Sequence, residues 1–198
     1  MANSVILAGT VKGDIEFSHK FFGERFYYFY LESERKSGVR DKIKCLCPDA
    51  YIYDITDGKQ IEVEGSIRSF NIYKDGKSKV DLSVFVNKKN EYVEDKNMVL
   101  VNGYVCKEPV YRTTPLGREI GDMLIASNRD YGKSDYIPCI AWGRNALRVS
   151  KFDIGTELNL AGRFQSREYE KRLEDGTEEI RTAYELSLNE VEIANEED

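Results

Sequence analysis

A single histidine, His19, leaves this 198-residue chain short of the commonest metal ligand and the commonest general base. Its four cysteines, Cys45, Cys47, Cys106 and Cys139, form neither a CxxC pair nor a second ligand cluster. They offer no zinc-binding pattern and read as small reduced thiols. No GxxxxGK(S/T) loop is present to cradle a phosphate, and no nucleophile has a base beside it. The expectation is a non-enzymatic protein with no cofactor and no metal. No run approaches the roughly 20 apolar residues of a membrane helix. The opening MANSVILAGTV has neither a basic n-region nor a cleavage-like tail. Both point to a cytoplasmic protein without a membrane partner. Tryptophan is as scarce as histidine: Trp142 stands alone against 13 Tyr and 9 Phe.

What is present is enough apolar sequence for a core, 41 %, and 32 % charge, with a net charge of -6. An acidic balance argues against nucleic acid until its distribution is read. Residues 1–96 hold 16 basic and 16 acidic side chains; residues 97–198 hold 13 and 19, with five acids in the final EVEIANEED. Without that end the second half is 13 against 14. A neutral domain can carry a basic stripe, so net charge alone decides nothing.

The chain repeats itself. Residues 3–47 slide forward by 94 onto 97–141 without a gap, pairing Asn3 with Asn97, Val5 with Val99, Gly9 with Gly103, Ser33 with Ser127, Arg35 with Arg129, Asp41 with Asp135, Ile43 with Ile137 and Cys45 with Cys139. After a three-residue insertion Gly58, Gly65 and Ser69 meet Gly155, Gly162 and Ser166, and the hairpin signals KDGK (74–77) and EDGT (174–177) correspond. The expected division is 1–95 and 96–198, with almost no linker.

Each repeat reads as short alternating strands with one helix. The strands fall at 4–12, 26–33, 41–47, 60–68 and 79–86 in the first repeat, and at 99–105, 119–127, 135–142, 157–170 and 180–188 in the second. Helices are expected near 49–56 and 144–152. Five strands with a helix between the third and fourth is the order of an OB-fold, so the expected class is all-β, two tandem five-stranded Greek-key barrels.

Strand parity then separates inside from outside. In DYIPCIAWGRNA (135–146), Ile137, Cys139 and Ala141 point one way and Tyr136, Pro138, Ile140 and Trp142 the other. In the following strand Leu158, Leu160, Gly162 and Phe164 share the inner face, opposite Asn159, Ala161, Arg163, Gln165, Arg167 and Tyr169. The first repeat is an internal control. It keeps the inner set (Ile43, Cys45, Cys47, Ile61, Val63, Gly65, Ile67) but has Lys42, Pro48, Ser66, Phe70 and Ile72 where the second has Tyr136, Trp142, Arg163, Arg167 and Tyr169. Core packing explains a shared face; an aromatic and cationic set in one copy calls for a surface role. Rings that stack on bases, with cations between them for phosphates, suit single strands, whose base faces are open. In KFFGERFYYFY (20–30) parity turns Phe29 and Leu31 inward and leaves Tyr28 and Tyr30 outward, as candidate interface residues.

Three stretches, GYVCKEPVYRTTPLGREI (103–120), DYIPCIAWGRNA and GTELNLAGRFQSREYE (155–170), closely resemble the OB domain of bacterial single-stranded DNA-binding proteins. The resemblance places that family's base-stacking positions on Tyr131, Tyr136, Trp142 and Tyr169, and its phosphate contacts on Arg112, Arg129, Arg144, Arg163 and Arg167. It implies non-sequence-specific binding of single-stranded DNA in replication, repair, recombination or restart, with replication or repair proteins as partners. It also implies four OB domains per assembly, which two of these chains would supply as a homodimer. The first repeat has Ser37, Lys42, Pro48 and Ile72 at the stacking positions, so it is expected to be a diverged structural or interaction domain. The alternatives are an OB protein-interaction module centred on Tyr28 and Tyr30, or an RNA binder.

Overall fold

Alternation of inward apolar and outward polar side chains makes most of this chain strand. The computed structural model describes residues 3–74, 77–172 and 176–194. The first repeat contains β1 (Asn3–Val11), β2 (Glu16–Phe21), β3 (Glu24–Glu34), β4 (Arg40–Pro48), α1 (Asp49–Ile52), β5 (Gln60–Lys74) and β6 (Lys77–Asn90). The second contains β7 (Lys96–Val105), β8 (Val110–Thr113), β9 (Glu119–Asn128), β10 (Ser134–Trp142), α2 (Arg144–Val149), β11 (Glu157–Arg172) and β12 (Glu178–Ile193).

Strand β1 pairs with β3 and β5, β5 with β6, β6 in parallel with β4, and β4 with β3, which closes a five-stranded barrel. The same circuit runs through β7, β9, β10, β12 and β11. These are two OB-folds in tandem, as expected. The inner faces are those parity assigned: Phe29, Leu31, Ile43, Cys45, Cys47, Ile137, Cys139, Ala141, Leu158 and Phe164 are all buried in one continuous core. Gly65 and Gly162 sit beside equivalent bulges, after Glu64 and Ala161. A Cβ there would overlap the carbonyl oxygen of Phe85 or Ser187, so neither position tolerates a side chain.

Two strands were not foreseen. Among the described residues β2 and β8 pair only with β3 and β9, as hairpin arms on the edges of the barrels. Nearly all of their residues are exposed, so no buried face imposes the alternation that marks a strand in sequence. Both helices are shorter than expected, and the first ends before Asp54, which takes φ 60°. Ile140 and Gln165, outward by parity, are nonetheless buried. Asp75 and Gly76 of the first DG turn, Glu174 and Asp175 of the second and residues 195–198 of the acidic end lie outside the described residues; Gly176 of the second turn takes φ 84°. Among the described residues no helix is long and apolar enough to cross a membrane.

The β2–β3 turn holds Phe22 at φ 45° and Gly23 at φ 89°, the two-residue hairpin geometry that favours Asn-Gly. Phe22 is 95 % exposed, and its aromatic neighbour in the turn is Phe21, edge-on at 4.5 Å. A bulky residue in this conformation costs on the order of 1 kcal/mol. Phe22→Asn is therefore expected to stabilise the protein by about 1 kcal/mol in urea unfolding. No gain would mean that the Phe21–Phe22 contact offsets the strain.

The barrels are joined through their first strands. β1 and β7 run antiparallel, with Asn3 opposite Val101, Val5 opposite Val99 and Ala8 opposite Lys96. Val5 and Val99 are equivalent residues of the two repeats, so a pseudo-two-fold axis passes through that pair. The bonds around it obey the symmetry. Asn3 Nδ2 donates to Ile67 O and its Oδ1 accepts from Ile67 N; Asn97 does the same with Phe164. Asp41 Oδ1 accepts from Ser166 N at 2.9 Å, and Asp135 Oδ1 accepts from Ser69 N at 2.7 Å. Lys42 N donates to Ser166 Oγ and Tyr136 N to Ser69 Oγ. Of the polar identities that survive between the repeats, Asp41 and Asp135 with Ser69 and Ser166 fasten one barrel to the other, while Asn3 and Asn97 each tie the first strand of a barrel to the bulged strand of the same barrel.

Candidate nucleic-acid interface

Tyr136 and Trp142 project from the outer face of β10, 47 % and 39 % exposed. Their neighbours follow from the register: Trp142 lies opposite Ile120, which lies opposite Arg112, while Tyr136 lies opposite Ala126. Trp142 Nε1 donates to Ser187 Oγ at 3.3 Å, which ties the indole edge to β12. Ile120 and Ile140, buried but outside the barrel core, share this face and give the rings an apolar footing. That footing explains why Ile140 is buried despite its outward parity.

Tyr131 lies between β9 and β10, fully exposed and at φ 74°, followed by Gly132 at φ 73°. Like Phe22 before Gly23, Tyr131 is a bulky residue at positive φ with no burial to compensate the strain. Tyr169 is half-buried on β11, with the Arg167 guanidinium 5.8 Å from its ring centroid. Tyr169 and Pro138 line one cleft, so the tyrosine adjoins the β10 face.

The five arginines fall into three groups. Arg144, at the start of α2, and Arg167 are exposed and, among the described residues, form no ion pair. Arg112, two strands from Trp142 across Ile120, makes a fork with Asp122, but the pair is solvent-exposed, worth little, and open to exchange for a phosphate. Arg129 and Arg163 lie at the junction between the barrels. Arg129 donates to both oxygens of the fully buried Asp135 and to Ser69 O, so its charge is committed to the interface. Arg163 is half-buried, donates to Gln165 Oε1 at 3.2 Å, and keeps a buried Nε without a partner. Burial, and then the nearby charge of Arg35, lower its pKa. Gln165 donates onward to Glu185 at 2.7 Å, which accounts for the burial of this outward residue.

Sequence reasoning did not find Ser187, Ile120 or Arg68, which donates to Asp135 from the other barrel at 2.9 Å. Each becomes a neighbour only through strand pairing, and no spacing along the chain signals it. The identity of Asp41 and Asp135 was the visible trace of the junction.

Tyr28 and Tyr30, the interface candidates, are half-buried on the outer face of β3. Lys44 Nζ sits 3.9 Å from the Tyr28 ring centroid and Lys42 Nζ 4.8 Å from that of Tyr30. Among the described residues no cluster of His, Cys, Asp and Glu is arranged to hold a metal ion.

The wild-type single-stranded DNA binding protein from Thermus aquaticus matches 99 % of this chain and 94 % of its own, with a TM-score of 0.78 at 19 % identity, which establishes a shared fold. In sequence, the chain is similar to single-stranded DNA-binding protein 1 of Staphylococcus aureus (strain COL), 34 % identical over 83 residues, 38 % of this chain and 50 % of that protein. It is also similar to single-stranded DNA-binding protein A of Bacillus subtilis (strain 168), 32 % identical over 83 residues, 38 % of this chain and 48 % of that protein. The chain spans about half the length of these relatives. The model of the single-strand binding protein family matches residues 96–194, half of the sequence. The chain belongs to the single-strand binding protein family.

Proposed function

We propose that this protein binds single-stranded DNA without sequence preference, without catalysis, and through its second OB-fold, residues 96–198. The observation that carries this reading is the pair of exposed rings, Tyr136 and Trp142, on one face of β10, with Arg112 alongside and Tyr131, Tyr169, Arg144 and Arg167 at its margins. Bases stack on such rings regardless of sequence, and mobile cations neutralise the phosphates between them. The first OB-fold, residues 1–95, holds the second through the β1–β7 junction. The setting is cytoplasmic DNA replication, repair or recombination, with proteins of those processes as partners. Fluorescence anisotropy of labelled oligo-dT tests the reading, with oligo-U and duplex DNA in parallel. The expected order is oligo-dT tightest and duplex weakest; oligo-U binding more tightly than oligo-dT would move the assignment to RNA.

The assembly is a homodimer through the outer face of the central six-stranded sheet, β6-β5-β1-β7-β11-β12. Met98 and Leu100 are 56 % and 54 % exposed there, and strand pairing sets them against Ile6 and Ala161. This apolar strip fits a second copy laid against it, which would bring four OB domains together. Light scattering should give twice the 22.8 kDa chain mass, falling to one chain for the Met98→Glu/Leu100→Glu variant. A wild-type mass of one chain contradicts the dimer.

A further inference from the structure

The repeat relation lets the outer faces of the two barrels be compared position by position. On the second barrel the rings stand on β10, as Tyr136 and Trp142, and the neighbouring strand β9 offers Ile120, Asp122 and Leu124. On the first barrel the equivalent positions are filled the other way round. Strand β3, the counterpart of β9, carries Phe26, Tyr28 and Tyr30, while β4, the counterpart of β10, carries Lys42 and Lys44. Phe85 stands where Ser187 supports the indole, and His19 pairs with Phe26 where Arg112 pairs with Ile120. The aromatic and cationic character is therefore not missing from the first barrel. It has moved one strand sideways, which is why the four family positions there hold Ser37, Lys42, Pro48 and Ile72.

The transposed set has the geometry that stacking requires. His19 is exposed and lies flat on Phe26, centroids 4.8 Å apart and planes 7° apart, with Phe85 behind at 6.1 Å. Tyr28 and Tyr30 follow along the same strand, each with a lysine ammonium over its ring. Lys42 is exposed and, among the described residues, forms no ion pair; Lys44 donates to Asp81 at 2.7 Å.

A cleft of about 200 Å³ lies between this face and the β10 face. Its walls are residues 80–82 of β6 and 182–184 of β12, which are equivalent segments, so it sits on the pseudo-two-fold axis. On one side it is lined by Pro138 and Tyr169 of the candidate interface. Asp81, also in its lining, leads through Lys44 to Tyr28. Tyr184, on its wall, is half-buried close to Tyr30 and the Lys44 backbone, and its phenol pKa is raised by burial first and then by Tyr30.

We propose that the β3–β4 face of the first barrel is a second stacking surface for single-stranded nucleic acid, and that the strand reaches it from the Trp142 face across the axial cleft. This rests on the reading of the Trp142 face given above. The occupant follows from continuity: a strand leaving Tyr169 and Pro138 meets the cleft next, and beyond it a row of rings whose lysine ammoniums lie over them and can turn to a phosphate as a base takes their place.

The test uses full-length protein and oligo-dT of two lengths, about 10 and about 30 nucleotides, against an expected occupancy of roughly 4–16 nucleotides per OB-fold. Tyr28→Ala/Tyr30→Ala is expected to weaken binding of the long oligomer at least about 10-fold and leave Trp142 quenching by the short one unchanged. Lys42→Gln, which removes one exposed charge without setting a second carboxylate opposite Glu32, should lower the slope of log affinity against log salt for the long oligomer by about 1. Long-oligomer affinity and salt slope that both match wild type in the two variants would overturn the inference and leave the face to protein contacts. If even wild-type Trp142 fluorescence ignores the short oligomer, the underlying reading fails and this inference falls with it.

Discussion

Trp142→Leu is expected to lower affinity for single-stranded DNA by about 10- to 100-fold, the equivalent of one lost base stack at roughly 1–3 kcal/mol. Leucine retains apolar volume over Ile120 and Ile140, so the loss reports stacking rather than collapse of the face. Trp142→Phe keeps a flat ring but gives up the bond to Ser187 Oγ, and should lose less than half of that effect on a logarithmic scale. Equal losses in both variants would mean that the indole acts through Ser187 and not through its π-face. The comparison is read by anisotropy at fixed salt, since affinity falls steeply with ionic strength.

The largest effect on stability is expected at Asp135. This carboxylate is fully buried between the barrels and accepts from Arg129, from Arg68 of the other repeat and from Ser69 N. Asp135→Asn removes the charge and leaves two partly buried guanidiniums facing each other, a change of about 3 kcal/mol by analogy with other broken buried pairs. Asp122→Asn breaks the exposed pair with Arg112 and should cost less than about 1 kcal/mol, which makes it the control. Both are read from urea unfolding.

The same residue predicts an acid limb. Burial alone would raise the Asp135 pKa, but the bonds from Arg129, Ser69 N and Arg68 outweigh it and lower the net value. A carboxyl that is more acidic folded than unfolded contributes stability in full above the unfolded value of about 4. That contribution is lost as pH falls through the folded value. Wild type should therefore lose stability below about pH 4 more steeply than Asp135→Asn. Parallel curves would assign the acid sensitivity elsewhere.

How far the molecule could be read in advance depends on whether a feature runs along the chain or across it. The inner faces were legible because Ile137, Cys139 and Ala141 repeat, at period two, what Ile43, Cys45 and Cys47 do. The exposed rings were legible because parity put Tyr136 and Trp142 opposite them. Strands β2 and β8 were not, since a strand that buries nothing has no pattern to show. Arg129 and Arg163 looked like phosphate ligands because an arginine next to an aromatic strand gives no hint of which neighbour will claim it. Arg129 is claimed by Asp135, and Arg163 lies half-buried at the junction. The transposed face of the first barrel was hidden for the same reason. Comparing equivalent positions one at a time shows Lys42 for Tyr136 and Pro48 for Trp142, a loss; only lateral pairing shows that Tyr28 and Tyr30 lie beside Lys44 and Lys42.

Because Trp142 is the only tryptophan, its fluorescence reports the candidate interface and nothing else. Titration with oligo-dT at low salt should quench it saturably, and added salt should reverse the quenching, as phosphate contacts by exposed arginines require. Emission that stays constant at low salt, with oligo-dT in large excess over protein, would contradict the account.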